Sequence, residues 1–158
     1  MLSADPQHSM TNDPARHEIR MSVHLSSRDV PAAIAFYAEV LGFRCTARYP
    51  ERGTPVWAHL ELDGQDLMVA SPLSEGTGED PWTEFHADNT RAFERGACGG
   101  VLVYIRVPDI DLYYEQIVAR GAQPAGEPVS QFYGIRDLPL HDRDGHRLVF
   151  YSAIAMGH

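Results

Sequence analysis

The sequence predicts an α+β protein built from two copies of a strand–helix–strands unit. The first observation is an internal repeat, which aligns SVHLSSRDVPAAIAFYAEVLGF with LVYIRVPDIDLYYEQIVARGA and matches Asp29 to Asp109 and Gly42 to Gly121. The second is that apolar residues alternate before each of these aspartates and follow helical spacing after them. One such unit alone exposes half of a core, and pairing two units buries it.

The first unit follows a polar start. Residues 1–18 contain two prolines and few apolar side chains, so we expect a flexible N-terminal tail. Residues 20–26 alternate as a strand, and a helix is predicted at Pro31–Leu41, where Gly42 ends it. A hairpin turn is expected at Asp63-Gly64. Further strands are predicted at residues 43–49, 55–62 and 67–70.

The second unit comes after a long connector. Residues 71–100 are rich in glycine, acidic residues and turn formers, and they predict an irregular segment with a functional or mobile role. The pattern then returns, with a strand at 101–107 and a helix at Asp111–Arg120. The last strands are predicted at residues 131–139 and 147–154.

Bulk properties limit the class of protein. A chain of 158 residues suits one domain, expected at 19–154 with modules at about 19–72 and 100–154. The net charge of -9 argues against nucleic-acid binding, which needs a basic face. No apolar run approaches the ~20 residues of a membrane helix, and no signal-peptide pattern is present. Because Cys45 and Cys98 cannot form a disulfide scaffold, we expect a cytoplasmic protein with reduced thiols.

The two modules, together with the stretches RDVPAAIAFYAEVLGF and LHDRDGHRLVFY, resemble the vicinal oxygen chelate superfamily. That group contains glyoxalase I, extradiol dioxygenases, fosfomycin-resistance enzymes and bleomycin-resistance proteins. The resemblance implies paired βαβββ modules in a cupped, mixed eight-stranded sheet around a central cavity, with the helices outside. It also implies a homodimer, because members commonly have sites at or near a subunit contact.

Enzymes of that superfamily hold a divalent metal with inward-facing residues on four strands. The resemblance places these four positions at Ser22, Ser71, Leu102 and Val149. Leucine and valine cannot bind a metal, and serine is a poor ligand for a divalent ion. We therefore expect no metal and no other cofactor.

A ligand cavity is predicted from strand alternation. His24 lies two residues after Ser22, which places both on one face of the strand. Tyr104 occupies the matching place in the second module, Arg106 follows it, and Tyr151 lies on the last strand. We expect these side chains to ring one apolar cavity. Two alternatives remain open, a half-buried His24 bonded to the backbone and an Arg106 in a salt bridge at the rim.

Further residues are assigned relative to that cavity. Val69 is expected on its floor, together with Leu102 and Val149, so the hairpin should turn His59, Glu61 and Trp57 outward. Three aromatic residues in the connector and in a later loop are candidates to close over a flat ligand, or else to anchor their loops. These residues are Trp82, Phe132 and Tyr133.

Three function classes follow from these features. The first is a metal-free protein that binds and sequesters a small aromatic or cationic molecule, such as an antibiotic or metabolite, as bleomycin-resistance proteins do. The second is a superfamily enzyme of the lyase, isomerase or dioxygenase type, with a displaced or absent metal and His24 as general base. The third is a structural or regulatory module. The unsuitable metal positions, the acidic charge and the aromatic loop favour the first.

Overall fold

Each repeat folds as a strand, a helix and three further strands in the computed structural model, which describes residues 21–72, 81–96 and 99–154. The strands are β1 (Val23–Ser26), β2 (Arg44–Tyr49), β3 (Trp57–Leu62), β4 (Gln65–Ala70), β5 (Val103–Arg106), β6 (Val129–Ser130), β7 (Ile135–His141) and β8 (Arg147–Ala153). The helices are α1 (Val30–Ala35), α2 (Pro81–Glu94) and α3 (Ile110–Ala119). The predicted tail at 1–18 and Cys98 lie outside the described residues.

The eight strands form two four-stranded sheets, one in each module. The strand order is β1-β4-β3-β2 in the first sheet and β5-β8-β7-β6 in the second. In each sheet the opening strand runs parallel to the last strand of its module, and the other pairs are antiparallel. The predicted α+β class with two βαβββ modules is confirmed, and the strands are hydrogen-bonded as four plus four.

The two repeated helices begin and end as their local sequence predicts. Asp29 caps α1 by accepting a hydrogen bond from the backbone N–H of Ala32 at 3.0 Å. Asp109 caps α3 in the same way. Helix α1 continues as a π-helical turn at Phe36–Val40, after which Gly42 adopts a φ of +83° that favours glycine.

The connector contains helix α2, which the expectation of an irregular segment missed. Its sequence, PWTEFHADNTRAFE, carries polar and charged residues on most sides, so it shows little apolar periodicity. Among its described side chains Phe93 is the buried one, at 4% exposure. A helix fixed mainly by one aromatic side chain leaves a weak signal in the sequence.

One hydrophobic core serves both modules. It includes Tyr37 and Val69 from the first module and Ile117 and Phe150 from the second. Val69, expected on the cavity floor, packs in this core instead and is 1% exposed. The reason is the parallel pairing of β1 with β4, which places Val69 beside the buried Leu25.

Hydrogen bonds also join the modules. The Tyr113 hydroxyl donates to the backbone oxygen of Leu41 at 2.7 Å, and the Tyr37 hydroxyl donates to Asp142 Oδ2 at 2.8 Å. Asp142 lies in the turn between β7 and β8, so this turn is tied directly to α1. No helix in the described part of the chain is long and apolar enough to span a membrane.

Candidate ligand-binding site

The first sheet has an open face, which carries the residues that alternate with its core residues. His24 on β1 is the register partner of Met68 on β4, and Met68 is the partner of His59 on β3. These three side chains therefore form a row across the sheet, facing away from the core. We call this surface the first open face.

The first open face has a polar end. His59 Nδ1 lies 2.5 Å from Thr46 Oγ1, and His59 Nε2 lies 3.2 Å from Asp66 Oδ2. The Ser22 hydroxyl donates to the same Asp66 oxygen at 2.8 Å. These contacts hold the His59 ring between a hydroxyl and a carboxylate.

The expectation that His59, Glu61 and Trp57 face outward from the His24 surface is wrong. The hairpin pairs Ala58 with Val69 and Leu60 with Leu67, as predicted, but all four of these residues are buried in the core. The alternate residues of β3 must then lie on the same face as His24. Assigning Val69 to the cavity instead of the core caused the error.

His24 borders two depressions, one along the β1 edge of the sheet and one on this face. The smaller has a volume of about 190 Å³ and lies between β1, α2 and the segment before β5. The larger has a volume of about 550 Å³ and is bounded by Tyr49, Val56 and Trp57. Partial burial, and then the nearby charge of His86, lower the pKa of His24 below its usual 6.5. The neutral ring that results offers a ligand one donor and one acceptor.

Helix α2 forms one wall of the smaller depression. The Phe93 ring stacks on His146, with centroids 5.8 Å apart, and the Arg28 guanidinium carbon lies 4.2 Å from the Phe93 centroid. Asn89 Nδ2 also donates to Ser26 Oγ at 3.3 Å. These contacts were not predicted, and the polar HDRDGHR turn that supplies His146 was the sequence signal for them.

The second sheet has a matching second open face, formed by the residues that alternate with its core residues. Tyr104 and Tyr151 lie on it with ring centroids 5.9 Å apart. Phe132 and Tyr133 contact each other at 5.0 Å in the loop before β7, and Phe132 is 96% exposed. Arg106 borders a separate groove of about 260 Å³ beside the start of α3.

The predicted ring of residues is thus divided between the modules. His24 borders one depression on the first open face and one at the β1 edge. Tyr104 contacts Tyr151 on the second open face, and Arg106 is the register partner of Tyr151 and also borders a groove beside α3. Trp82 lies in the first turn of α2, and its side chain is outside the described part of the structure. A role in ligand binding stays a prediction for His24, Tyr104, Arg106, Tyr151 and Trp82.

The four superfamily metal positions do not provide a suitable donor set. Ser22 is bonded to Asp66, Leu102 is 54% exposed, and Val149 is a buried aliphatic residue. Two hydrocarbon side chains and two hydroxyls, including Ser71, do not fit a divalent ion. Among the described residues, no three His, Cys, Asp or Glu side chains are grouped as a metal site.

Comparison with solved structures supports the same architecture. TioX from Micromonospora sp. ML1 is 26% identical, with a TM-score of 0.63 over 88% of this chain and 100% of that chain. A glyoxalase/bleomycin resistance protein from Catenulispora acidiphila DSM 44928 is 22% identical, with a TM-score of 0.57 over 86% of this chain and 99% of that chain.

A glyoxalase/bleomycin resistance protein/dioxygenase superfamily member from Sphaerobacter thermophilus DSM 20745 is 18% identical, with a TM-score of 0.60 over 85% of this chain and 97% of that chain. No curated protein sequence matches the chain. A comparison with protein families matches residues 13–150, most of the sequence. The chain belongs to the Glyoxalase/Bleomycin resistance protein/Dioxygenase superfamily.

Proposed function

We propose that this protein binds a small planar aromatic molecule on the first open face, beside His24 and without a metal. The observation that carries the proposal is the position of His24, between a depression on the first open face and a second one at the β1 edge of the sheet. Trp57 and Tyr49 border the larger depression and supply surfaces for stacking. A neutral imidazole between apolar walls fixes the orientation of a ligand through one hydrogen bond.

Sequestration is the role that best fits such a site. Stacking and one hydrogen bond hold a flat ring without the arrangement of reactive groups that catalysis needs. The metal positions lack suitable ligands, which removes the usual reaction centre of the superfamily. The expected ligand is an aromatic antibiotic or metabolite held in the cytoplasm.

The test is a fluorescence titration with a panel of planar aromatic compounds. In a Trp82→Phe background Trp57 is the remaining tryptophan, and a bound ring should quench it. His24→Ala should weaken binding by about 1 kcal/mol, the value of one hydrogen bond. The control is His141→Ala, which removes an exposed histidine from the second module. Quenching that is equally strong in both variants would contradict a role for His24.

A second candidate function is enzymatic, and one observation favours it. The lowered pKa of His24 leaves its ring neutral near pH 7 and able to accept a proton, as a general base must. His59 is less suited to this role, because Thr46 and Asp66 lie within hydrogen-bonding distance of its two ring nitrogens. In this hypothesis His24 removes a proton from carbon next to a carbonyl group of the substrate.

Proton exchange provides the test for the second candidate. The protein would be incubated with hydroxyacetone in deuterated water, and loss of the carbon-bound proton signal would be followed by NMR. Exchange above the buffer rate that His24→Gln abolishes and His59→Gln retains would support an enzyme. Exchange at the buffer rate would leave the binding function as the better account.

A further inference from the structure

We propose a second binding site, on the second open face, which takes an organic cation between Tyr104, Tyr133 and Tyr151 next to Asp137. We call these four residues the tyrosine patch. The proposal does not depend on the His24 site, because the two open faces belong to different sheets. It assigns a ligand of different charge and shape to the other module.

Asp137 is the central observation. It lies on β7 as the register partner of Tyr151, and it is only 6% exposed. Its Oδ1 accepts one hydrogen bond, from Gln131 Nε2 at 2.9 Å. Among the described residues, no Lys, Arg or His forms an ion pair with it.

The Asp137 carboxylate accepts an amide hydrogen bond from Gln131, and a carboxylate has further acceptor positions for a donor or a cation. A positively charged ligand would supply the missing counter-charge. The unpaired charge therefore favours a cation over a neutral or anionic ligand.

The tyrosines provide the walls of the site. Tyr104 and Tyr151 meet edge to face at an interplanar angle of 65°, and Tyr151 is the register partner of Asp137. Tyr133 lies in the turn closed by the hydrogen bond from Gly134 N–H to the Gln131 backbone oxygen, and the Gln131 side chain of this turn reaches Asp137. Aromatic faces attract alkylammonium groups through their negative quadrupole. The rings suit a methylated or alkylated ammonium, which needs few hydrogen bonds.

Two of the tyrosines in the tyrosine patch are accessible to a ligand from solvent. Tyr104 is 48% exposed and Tyr133 is 53% exposed. Phe132, which is in contact with Tyr133, extends the apolar surface at its edge. Contiguous exposed aromatic residues on a soluble protein are typical of binding surfaces. The net charge of -9 adds a long-range attraction for cations.

The experiment compares choline with its neutral isostere 3,3-dimethylbutan-1-ol, using NMR of the full chain to follow the tyrosine ring signals. We expect choline to shift the Tyr104 and Tyr133 rings and to bind about tenfold more tightly than the alcohol. Added salt should weaken the binding of choline and not that of the alcohol. Equal affinity for both probes, or no binding of choline, would overturn the proposal.

Two variants and one control locate the site. Asp137→Asn keeps the side-chain shape and should weaken choline binding about tenfold, whereas Glu61→Gln removes the same charge from the first sheet and should have no effect. Tyr133→Ala alters only an exposed loop residue and should also weaken binding, which tests the site even if the Asp137 variant is unstable. Equal binding by both charge variants would contradict the role of Asp137. A choline affinity that falls as the protein is concentrated would assign the patch to contact between two copies instead.

Discussion

Tyr37 is a fully buried tyrosine whose hydroxyl has one partner, the Asp142 carboxylate at 2.8 Å. The other oxygen of Asp142 accepts hydrogen bonds from the backbone N–H groups of Asp144 and His146, each at 2.9 Å. Burial, and then the charge of Asp142, raise the pKa of Tyr37 well above 10.0, so it remains a donor. Tyr37 therefore ties the turn between β7 and β8 to the first module, together with Arg28, which contacts Asp144.

Removing that donor should destabilise the protein. Tyr37→Phe leaves a buried carboxylate oxygen without its partner, and we expect a loss of about 1–3 kcal/mol in the free energy of unfolding. Urea denaturation measures the change. The control is Tyr114→Phe, which removes a hydroxyl from a half-buried tyrosine on α3. Equal losses in the two variants would show that the bond to Asp142 adds no particular stability.

His24 should make stability depend on pH. Its pKa in the folded protein lies below the usual 6.5, so the unfolded chain binds a proton first as the pH falls. As the pH falls from about 6.5 to the lower folded pKa, the free energy of unfolding should therefore decrease. Above that window His24 is neutral in both states and should not make stability depend on pH. His24→Gln should abolish this decrease. The measurement is urea denaturation from pH 5 to 8. If His24 were not partly desolvated, the free energy of unfolding would change with pH in the same way for the unchanged protein and for His24→Gln.

At the scale of elements, α2 contacts the first module through the buried Phe93 and through Asn89, which donates to Ser26. Phe93 is enclosed by Arg28 and His146, while Phe85 in the same helix is 65% exposed. Arg28 Nη2 also donates to the backbone oxygen of Phe93 at 3.2 Å. Phe93 is thus a central contact of the α2 wall of the smaller depression.

Phe93→Ala should release α2. Loss of a buried phenylalanine costs about 3–5 kcal/mol, so we expect amide hydrogen exchange in α2 to become at least about tenfold faster. The rate is measured by hydrogen–deuterium exchange with mass spectrometry. Phe85→Ala is the matched control in the same helix and should leave exchange unchanged. Similar exchange in the two variants would show that other contacts hold α2.

The elements that the sequence predicted well are those that local signals define. Asp29 and Asp109 cap their helices, and Gly42 and Gly121 have φ values of +83° and +100°, as expected for residues that end a helix. The face of β3 was predicted wrongly because it depends on how β4 pairs with β1, which is a contact between distant residues. Local sequence therefore predicts helix caps and turns, but it does not predict how β4 pairs with β1.

At the scale of the molecule, the site was only partly predictable. Strand alternation predicts that His24 lies on the face opposite Leu25, and in the structure Tyr104 lies 5.9 Å from Tyr151. Alternation could not show which depressions the predicted residues border, since that depends on how the two sheets pack. It also missed Asp137, because an acidic residue on an alternating strand suggests an exposed position and not one that is 6% exposed.

A homodimer remains a prediction for the whole molecule. The first sheet ends at β2 and the second at β6, so each has an outer strand with unpaired backbone groups. Pairing of two copies would cover such edges. Sedimentation equilibrium should give twice the chain mass of 17.6 kDa. A single-chain mass that does not change with concentration would contradict the dimer.

The shared core predicts that the two modules unfold together. Buried residues from both sheets pack in one cluster, and the hydrogen bonds from Tyr37 and Tyr113 cross between the modules. Neither sheet can lose its partner without exposing apolar surface, so unfolding should be a single transition. In the Trp82→Phe background, Trp57 fluorescence reports on the first module and hydrogen exchange of β8 amides on the second. The two probes should give the same free energy of unfolding, and a lower value for one module would show that it unfolds independently.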